Sequence, residues 1–126
     1  MLKVLPSMRF LSILLAITLS LLLNVLPTQA GMLQDGSFIH DLKIEIDGKL
    51  GSELALKLID NDLSASVNLG KGYCETRQAG LSQKDWLELA KRQIEELQNP
   101  EMEQSLWLLY KKTAKTAKSV YCPEFS

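Results

Sequence analysis

Two amphipathic helices and the turn between them are encoded in Ser82–Pro123, SQKDWLELAKRQIEELQNPEMEQSLWLLYKKTAKTAKSVYCP. Ser82 followed three residues later by Asp85 predicts a helix start, because the hydroxyl and the carboxylate together satisfy free backbone N–H groups. Asn99 before Pro100 predicts the second start, since proline fits the first helical position and asparagine is a good cap. A turn this short predicts that the two helices pack antiparallel.

Five large apolar residues follow one another in the second of these helices, Leu106-Trp107-Leu108-Leu109-Tyr110. A helix turns by about 100° per residue, so a single apolar face does not bury all five. Some of Trp107, Leu108 and Tyr110 must therefore face another helix, a partner or a ligand. We expect these three to supply a candidate partner or ligand surface, with Trp107 as the most exposed.

A longer helical pattern precedes this pair and covers residues 52–79, with apolar residues recurring every three or four positions. Asn61-Asp62 is a candidate bend or break within it, because both residues are poor helix formers. Gly80 is the expected stop. Gly70 lowers helix propensity, but a glycine at this position allows another helix to approach closely.

Residues 38–46 fit both helical and strand spacing, whereas residues 31–37 contain two glycines and are expected to form a flexible lead-in. We expect a helix for residues 38–46, because a single strand would have no partner in this chain. The predicted fold is therefore all-α, a small three- to four-helix domain with no sheet.

The first 30 residues have the three-part plan of a secretory signal peptide. Two basic residues precede an apolar run at Phe10–Leu26, and small residues follow. We expect cleavage after Ala30, which leaves residues 31–126 as a single exported domain in the periplasm or outside the cell. The alternative is an uncleaved leader that anchors the chain in a membrane. After cleavage, the remaining sequence has no second apolar stretch long enough to predict a membrane span.

The charge balance argues against nucleic acid as a partner. The 126 residues include 14 basic and 15 acidic ones. Removing the leader removes only basic residues, which leaves residues 31–126 with a net charge of −3. A general nucleic-acid binder needs a net basic surface to release counterions from phosphates.

Cys74 and Cys122 are the only two cysteines. An even count in an exported chain predicts a disulfide, and closing a loop of about 49 residues would stabilise the fold by about 4 kcal/mol on the chain-entropy model. A metal site would need more ligands than this pair and one histidine supply, and a redox pair would be closer in sequence. We therefore predict a structural disulfide between them, and no metal or cofactor site.

Four features taken together resemble a known family: Phe38-Ile-x-x-Leu42, Gly70-x-x-x-Cys74, Gly80, and a last helix ending in Val120-Tyr-Cys-Pro123. The pattern is similar to a family of small exported bacterial proteins, best known from mycobacteria, that is catalogued as a domain of unknown function. The resemblance implies a signal peptide, a compact helical domain, and pairing of a mid-chain cysteine with the cysteine of the terminal Tyr-Cys-Pro. It implies no activity.

Three hypotheses for function follow from the sequence. The first is a non-enzymatic exported module that binds a protein, an envelope component or a small apolar ligand through Trp107, Leu108 and Tyr110. The second is a small exported enzyme that uses His40, the one side chain that titrates near neutral pH without help, together with a nearby acid or hydroxyl. The third is an envelope protein that associates with copies of itself.

Overall fold

A computed structural model describes the backbone of residues 28–126 and the side chains of residues 31–126. Residues 1–27, most of the predicted leader, lie outside the described residues. By its contacts the chain forms two units, Met1–Leu33 and Gln34–Ser126, and the helical domain is the second of these.

Five α-helices and a final 3₁₀ turn follow one another: α1 (Thr28–Ile46), α2 (Ser52–Asn61), α3 (Leu63–Gln78), α4 (Gln83–Glu96), α5 (Pro100–Val120) and Pro123–Phe125. Residues 28–126 contain no strand, which confirms the all-α prediction. None of the helices in this part of the chain combines the length and apolarity needed to cross a membrane.

The described residues form five helices, whereas three or four were expected, because the predicted helix over residues 52–79 is divided into two at Asp62. The backbone there leaves the helical region, with φ −150° and ψ 86°. The Asp62 carboxylate accepts a hydrogen bond from the Ala65 amide at 2.9 Å and so begins α3. A capping side chain thus replaces the helical hydrogen bonds lost at the break.

Helix α5 is the centre of the domain and packs against α2, α3 and α4. It also meets α1, where the Lys115 ammonium lies 3.0 Å from the Glu45 carboxylate. The core consists of buried side chains from all five helices and from Cys122, which follows α5: Phe38, Leu42, Ile46, Ala55, Ile59, Tyr73, Cys74, Trp86, Leu108, Leu109, Ala114, Ala117 and Cys122. Phe38, Leu42 and Ile46 are spaced four residues apart along α1, so the ambiguous stretch 38–46 is a helix with one buried face.

Gly70 makes room for the Phe38 ring of α1 to pack against α3. A Cβ atom at this position would lie 2.6 Å from Cζ of Phe38, which is too close for two carbon atoms. The Phe38 ring is fully buried and its centroid lies 5.1 Å from that of Tyr121. The ring therefore occupies the space that a larger residue at position 70 would need.

The prediction of a flexible lead-in at residues 31–37 is wrong, because α1 runs through all of them. The side-chain amide of Gln34 donates a hydrogen bond to the Val120 carbonyl at 2.8 Å. The Tyr121 hydroxyl donates to the Asp35 carboxylate at 2.6 Å. These contacts with the far end of the chain outweigh the low helix propensity of the two glycines, and the sequence pattern of the segment alone does not show them.

The predicted disulfide is present and joins Cys74 of α3 to Cys122, the residue between α5 and the final turn. The two Cα atoms are 5.8 Å apart and both side chains belong to the core. The bond ties α3 to the end of α5, as expected from the cysteine count.

Candidate functional site

Helices α4 and α5 form an antiparallel hairpin whose two starts are fixed by side-chain caps. The Ser82 hydroxyl accepts from the Asp85 amide at 3.1 Å, and the Asp85 carboxylate accepts from the Ser82 amide at 3.1 Å. These hydrogen bonds hold the pKa of Asp85 below its usual value. Asn99 accepts from the Met102 amide at 3.2 Å, and Pro100 is the first residue of α5. Both predicted helix starts are confirmed.

The antiparallel arrangement is visible in the contacts between the two helices. Near the start of α4, the Lys118 ammonium donates to the Gln83 side chain. Further along, the rings of Trp86 and Tyr110 lie 5.4 Å apart. The predicted antiparallel packing of the last two helices is thus confirmed.

The five consecutive apolar residues of α5 have different environments. Leu108 and Leu109 are each 7% exposed and belong to the core. Leu108 is therefore not available to a partner, and its inclusion in the candidate surface is corrected. Tyr110 is half-buried, and its ring packs against Trp86 of α4, which in turn packs against Tyr73 in the core. Much of the Tyr110 side chain therefore contacts α4.

Trp107 is half-buried and stands between two open hollows on the α4–α5 hairpin. One hollow, of about 430 Å³, lies toward the turn, and the other, of about 500 Å³, lies toward the start of α4. We call this surface the Trp107 face and define it by the residues that line the hollows: Gln83, Lys84, Leu87, Glu88, Lys91, Ile94, Glu95, Pro100, Glu103, Gln104 and Trp107.

Charged side chains of both signs lie around Trp107 on this face. Toward the turn, Glu95 and Glu103 line the first hollow. Toward the other end lie Lys84, in the second hollow, and Lys111, whose ammonium is 5.6 Å from the Trp107 ring centroid. Among residues 31–126, no carboxylate forms an ion pair with either of these two lysines. Glu88 lines the second hollow beside Lys84, and Lys91 lines both hollows, with its ammonium 4.0 Å from the Glu95 carboxylate. Charges of both signs therefore surround Trp107 along the whole face.

Residues of α4 on the Trp107 face were not predicted as part of a site. Lys84, Leu87 and Lys91 follow the i, i+3, i+7 spacing of one helical face, but the same spacing is expected of any solvated face. The signal that would have found them is the antiparallel turn itself, because it places the middle of α4 beside Trp107.

His40 is exposed on α1. Within residues 31–126 it has no hydrogen bond to an acid or a hydroxyl group. In the same part of the chain, no three His, Cys, Asp or Glu residues are placed to hold a metal ion.

The lysines at the C-terminal end of α5 have structural partners. Lys112 and Lys115 both face the Glu45 carboxylate of α1, at 3.8 and 3.0 Å. Their positive charges, led by the hydrogen bond from Lys115, lower the pKa of Glu45. At the other end of α1, burial and the hydrogen bond to Asp35 raise the pKa of Tyr121. These groups link α1 to the end of α5.

No family model matches the chain, and no curated protein or solved structure matches it either. The resemblance to the mycobacterial family therefore stays a prediction. The candidate site depends on its own geometry: a half-buried indole between two hollows, on two helices whose starts are capped.

Proposed function

We propose that this chain is an exported, disulfide-linked helical module that acts by binding a partner through the Trp107 face, and not by catalysis. The observation that carries the proposal is the position of Trp107 at the centre of this face. A large aromatic side chain with apolar hollows beside it and charges around it has the composition of a binding hot spot. The caps of α4 and α5 support the proposal, because they hold the face on rigid elements.

Three observations support export and cleavage of the leader. The predicted cut after Ala30 lies three residues before Gln34, where the helical unit begins. Among the side chains of residues 31–126, Gln34 is the first of α1 with a hydrogen bond to the end of α5, and cleavage after Ala30 would leave this bond intact. The buried disulfide suits an oxidising compartment. The intact mass of protein isolated from its own host tests this: loss of residues 1–30 and of two thiol hydrogens is expected, and a full-length chain with free thiols would contradict it.

Binding is tested by photocrosslinking in cells of the native host. A photoreactive residue in place of Trp107 is expected to give a discrete crosslinked product. The matched control carries the same residue at Gln93, which is exposed on α4 about 200° around the helix from Lys91. A product at position 107 and none at 93 supports the Trp107 face. No product at position 107, or equal products at both positions, would contradict the proposal.

The exported enzyme that uses His40 remains the alternative, and a substitution separates the two. His40→Ala removes the only imidazole and leaves the Trp107 face unchanged. We expect the crosslinked product at position 107 and any phenotype of deleting the protein to persist in this variant. Loss of the phenotype with an unchanged crosslink would favour the enzyme.

A further inference from the structure

A small polar hollow lies between α1 and α5 and shares no residue with the Trp107 face. Its volume is about 200 Å³. The i, i+3 and i+4 spacing of its α1 residues places them on one side of that helix. It is lined by Asp41, Ile44 and Glu45 of α1 and by Lys115, Thr116 and Ser119 of α5. All of these side chains except isoleucine are polar or charged, so a polar occupant fits the hollow better than an apolar one.

Thr116 gives the first indication of what the hollow binds. The residue is 3% exposed, and its hydroxyl oxygen has no hydrogen-bond partner among residues 31–126. A buried hydroxyl without a partner costs free energy, so nearly all such groups in native proteins bond to protein, water or a ligand. The hollow is the open space beside Thr116. A molecule in the hollow that carries a polar group would therefore complete the hydrogen bonding of this side chain.

The charged residues around the hollow are unevenly paired. Glu45 has two lysine partners, the Lys115 ammonium at 3.0 Å and the Lys112 ammonium at 3.8 Å. In contrast, the Asp41 carboxylate and the Ser119 hydroxyl have no ion pair or side-chain hydrogen bond within residues 31–126. The hollow thus offers an unpaired negative charge at Asp41. It also offers a positive charge at Lys115, which can bind an anion because Lys112 still neutralises Glu45.

We propose that this hollow binds a free α-amino acid with a small side chain. The ammonium group of the ligand donates to the Asp41 carboxylate and to the hydroxyl oxygens of Thr116 and Ser119, and these acceptors match its three N–H donors. The carboxylate of the ligand accepts from Lys115, and its side chain contacts Ile44. The volume of the hollow equals that of about six water molecules in the liquid, which suits a molecule of the size of alanine.

Nuclear magnetic resonance of the ¹⁵N-labelled chain, purified from its native host with the disulfide intact, tests the site with L-alanine as the probe. We expect saturable shifts of the amide signals of Asp41, Thr116 and Ser119 as L-alanine is added. Ethylamine has the ammonium group without the carboxylate, and propionate has the carboxylate without the ammonium group. Each of these two is expected to bind about tenfold or more weakly than L-alanine, because each lacks a hydrogen bond between charged groups.

Two substitutions test the contacts of the ammonium group. Asp41→Asn removes the negative charge and is expected to weaken L-alanine binding about tenfold or more. Thr116→Val replaces the hydroxyl with a methyl group of similar size and is expected to weaken binding about fivefold. Thr113→Val is the matched control, because Thr113 is a buried threonine of α5 whose hydroxyl also lacks a partner within residues 31–126, but it does not line the hollow. We expect this control to bind L-alanine as the parent chain does, and circular dichroism checks that each variant keeps its helices.

The outcomes separate this inference from the proposed function. The absence of saturable shifts at the three amides overturns the amino-acid site. Binding of ethylamine or propionate as tight as that of L-alanine also overturns it, and so does equal binding by the parent chain and Thr116→Val. The crosslink at position 107 is expected to be the same in Asp41→Asn as in the parent chain. Failure of the amino-acid site would therefore leave the binding role of the Trp107 face in place.

Discussion

Gly70→Ala is the most direct test of how α1 packs on α3. Alanine is favoured over glycine within a helix by about 1 kcal/mol. The new methyl group, however, would lie 2.6 Å from Cζ and 2.7 Å from Cε1 of the Phe38 ring. That ring is fully buried and has Tyr121 beside it, so it does not move aside freely. Overpacking of this kind costs about 1–3 kcal/mol, and we expect a net loss of about 1 kcal/mol in the free energy of unfolding.

Gly72→Ala is the matched control, two residues further along the same helix. A Cβ atom at position 72 would have no neighbouring atom within 4 Å. This substitution is therefore expected to show the helix-propensity gain alone, about 1 kcal/mol of added stability. The two glycine variants should differ by about 1–3 kcal/mol, the cost of the overpacking.

The assay is urea unfolding followed by far-ultraviolet circular dichroism, with the disulfide intact in every variant. A double-mutant cycle with Phe38→Leu isolates the contact. In the Phe38→Leu background, where the ring is absent, Gly70→Ala is expected to stop being destabilising and to stabilise the protein as Gly72→Ala does. Equal gains from Gly70→Ala and Gly72→Ala in the parent chain would refute the close approach of Phe38 to α3.

Three further perturbations test other parts of the fold. The double variant Cys74→Ser/Cys122→Ser opens the disulfide loop, whose ends are separated by 48 residues in sequence. We expect the free energy of unfolding, measured in urea, to fall by about 4 kcal/mol. An unchanged unfolding midpoint would contradict a stabilising role for the bond. Ser82→Ala removes the cap of α4 and should cost about 1 kcal/mol, whereas Ser64→Ala, at an exposed position of α3, should cost much less. Because the pKa of Glu45 is lowered in the folded protein, the unfolded chain takes up a proton at this group first as the pH falls. The contribution of Glu45 to the free energy of unfolding is therefore full above its ordinary pKa of 4.5. It is lost as the pH falls through the lower pKa of the folded protein. Glu45→Gln should therefore flatten the stability profile in this acidic range, and a profile parallel to that of the parent chain would argue against the ion pairs with Lys112 and Lys115.

Local chemistry in the sequence predicted much of the fold. Ser82 with Asp85, and Asn99 with Pro100, mark helix starts because short polar side chains and proline satisfy the geometry of a first turn within a few residues. The cysteine count predicted the link between α3 and the end of α5. These signals operate over short distances or through a single possible pairing, so no knowledge of packing was needed.

Features that depend on contacts between distant residues could not be predicted. Residues 31–37 join α1 because Gln34 and Asp35 bind the end of α5, and nothing within the segment indicates this. The candidate surface was predicted only in part, since the run from Leu106 to Tyr110 does not show which residues the core accepts. Leu108 is buried in the core, whereas Trp107 stays at the surface. The residues of α4 become part of the Trp107 face only because the hairpin places them beside Trp107.

The hydrogen bond from Gln34 to the Val120 carbonyl places the beginning and the end of the helical domain side by side. Such proximity makes the domain a candidate for circular permutation, in which a short linker joins the beginning and the end of this helical unit and new ends are opened elsewhere. The turns at Gly48 and Gly80 suit new ends, because both glycines have positive φ and open space around them. Chain order could therefore be rearranged without disturbing the core, and rearranged chains would show whether the final helix must be made last.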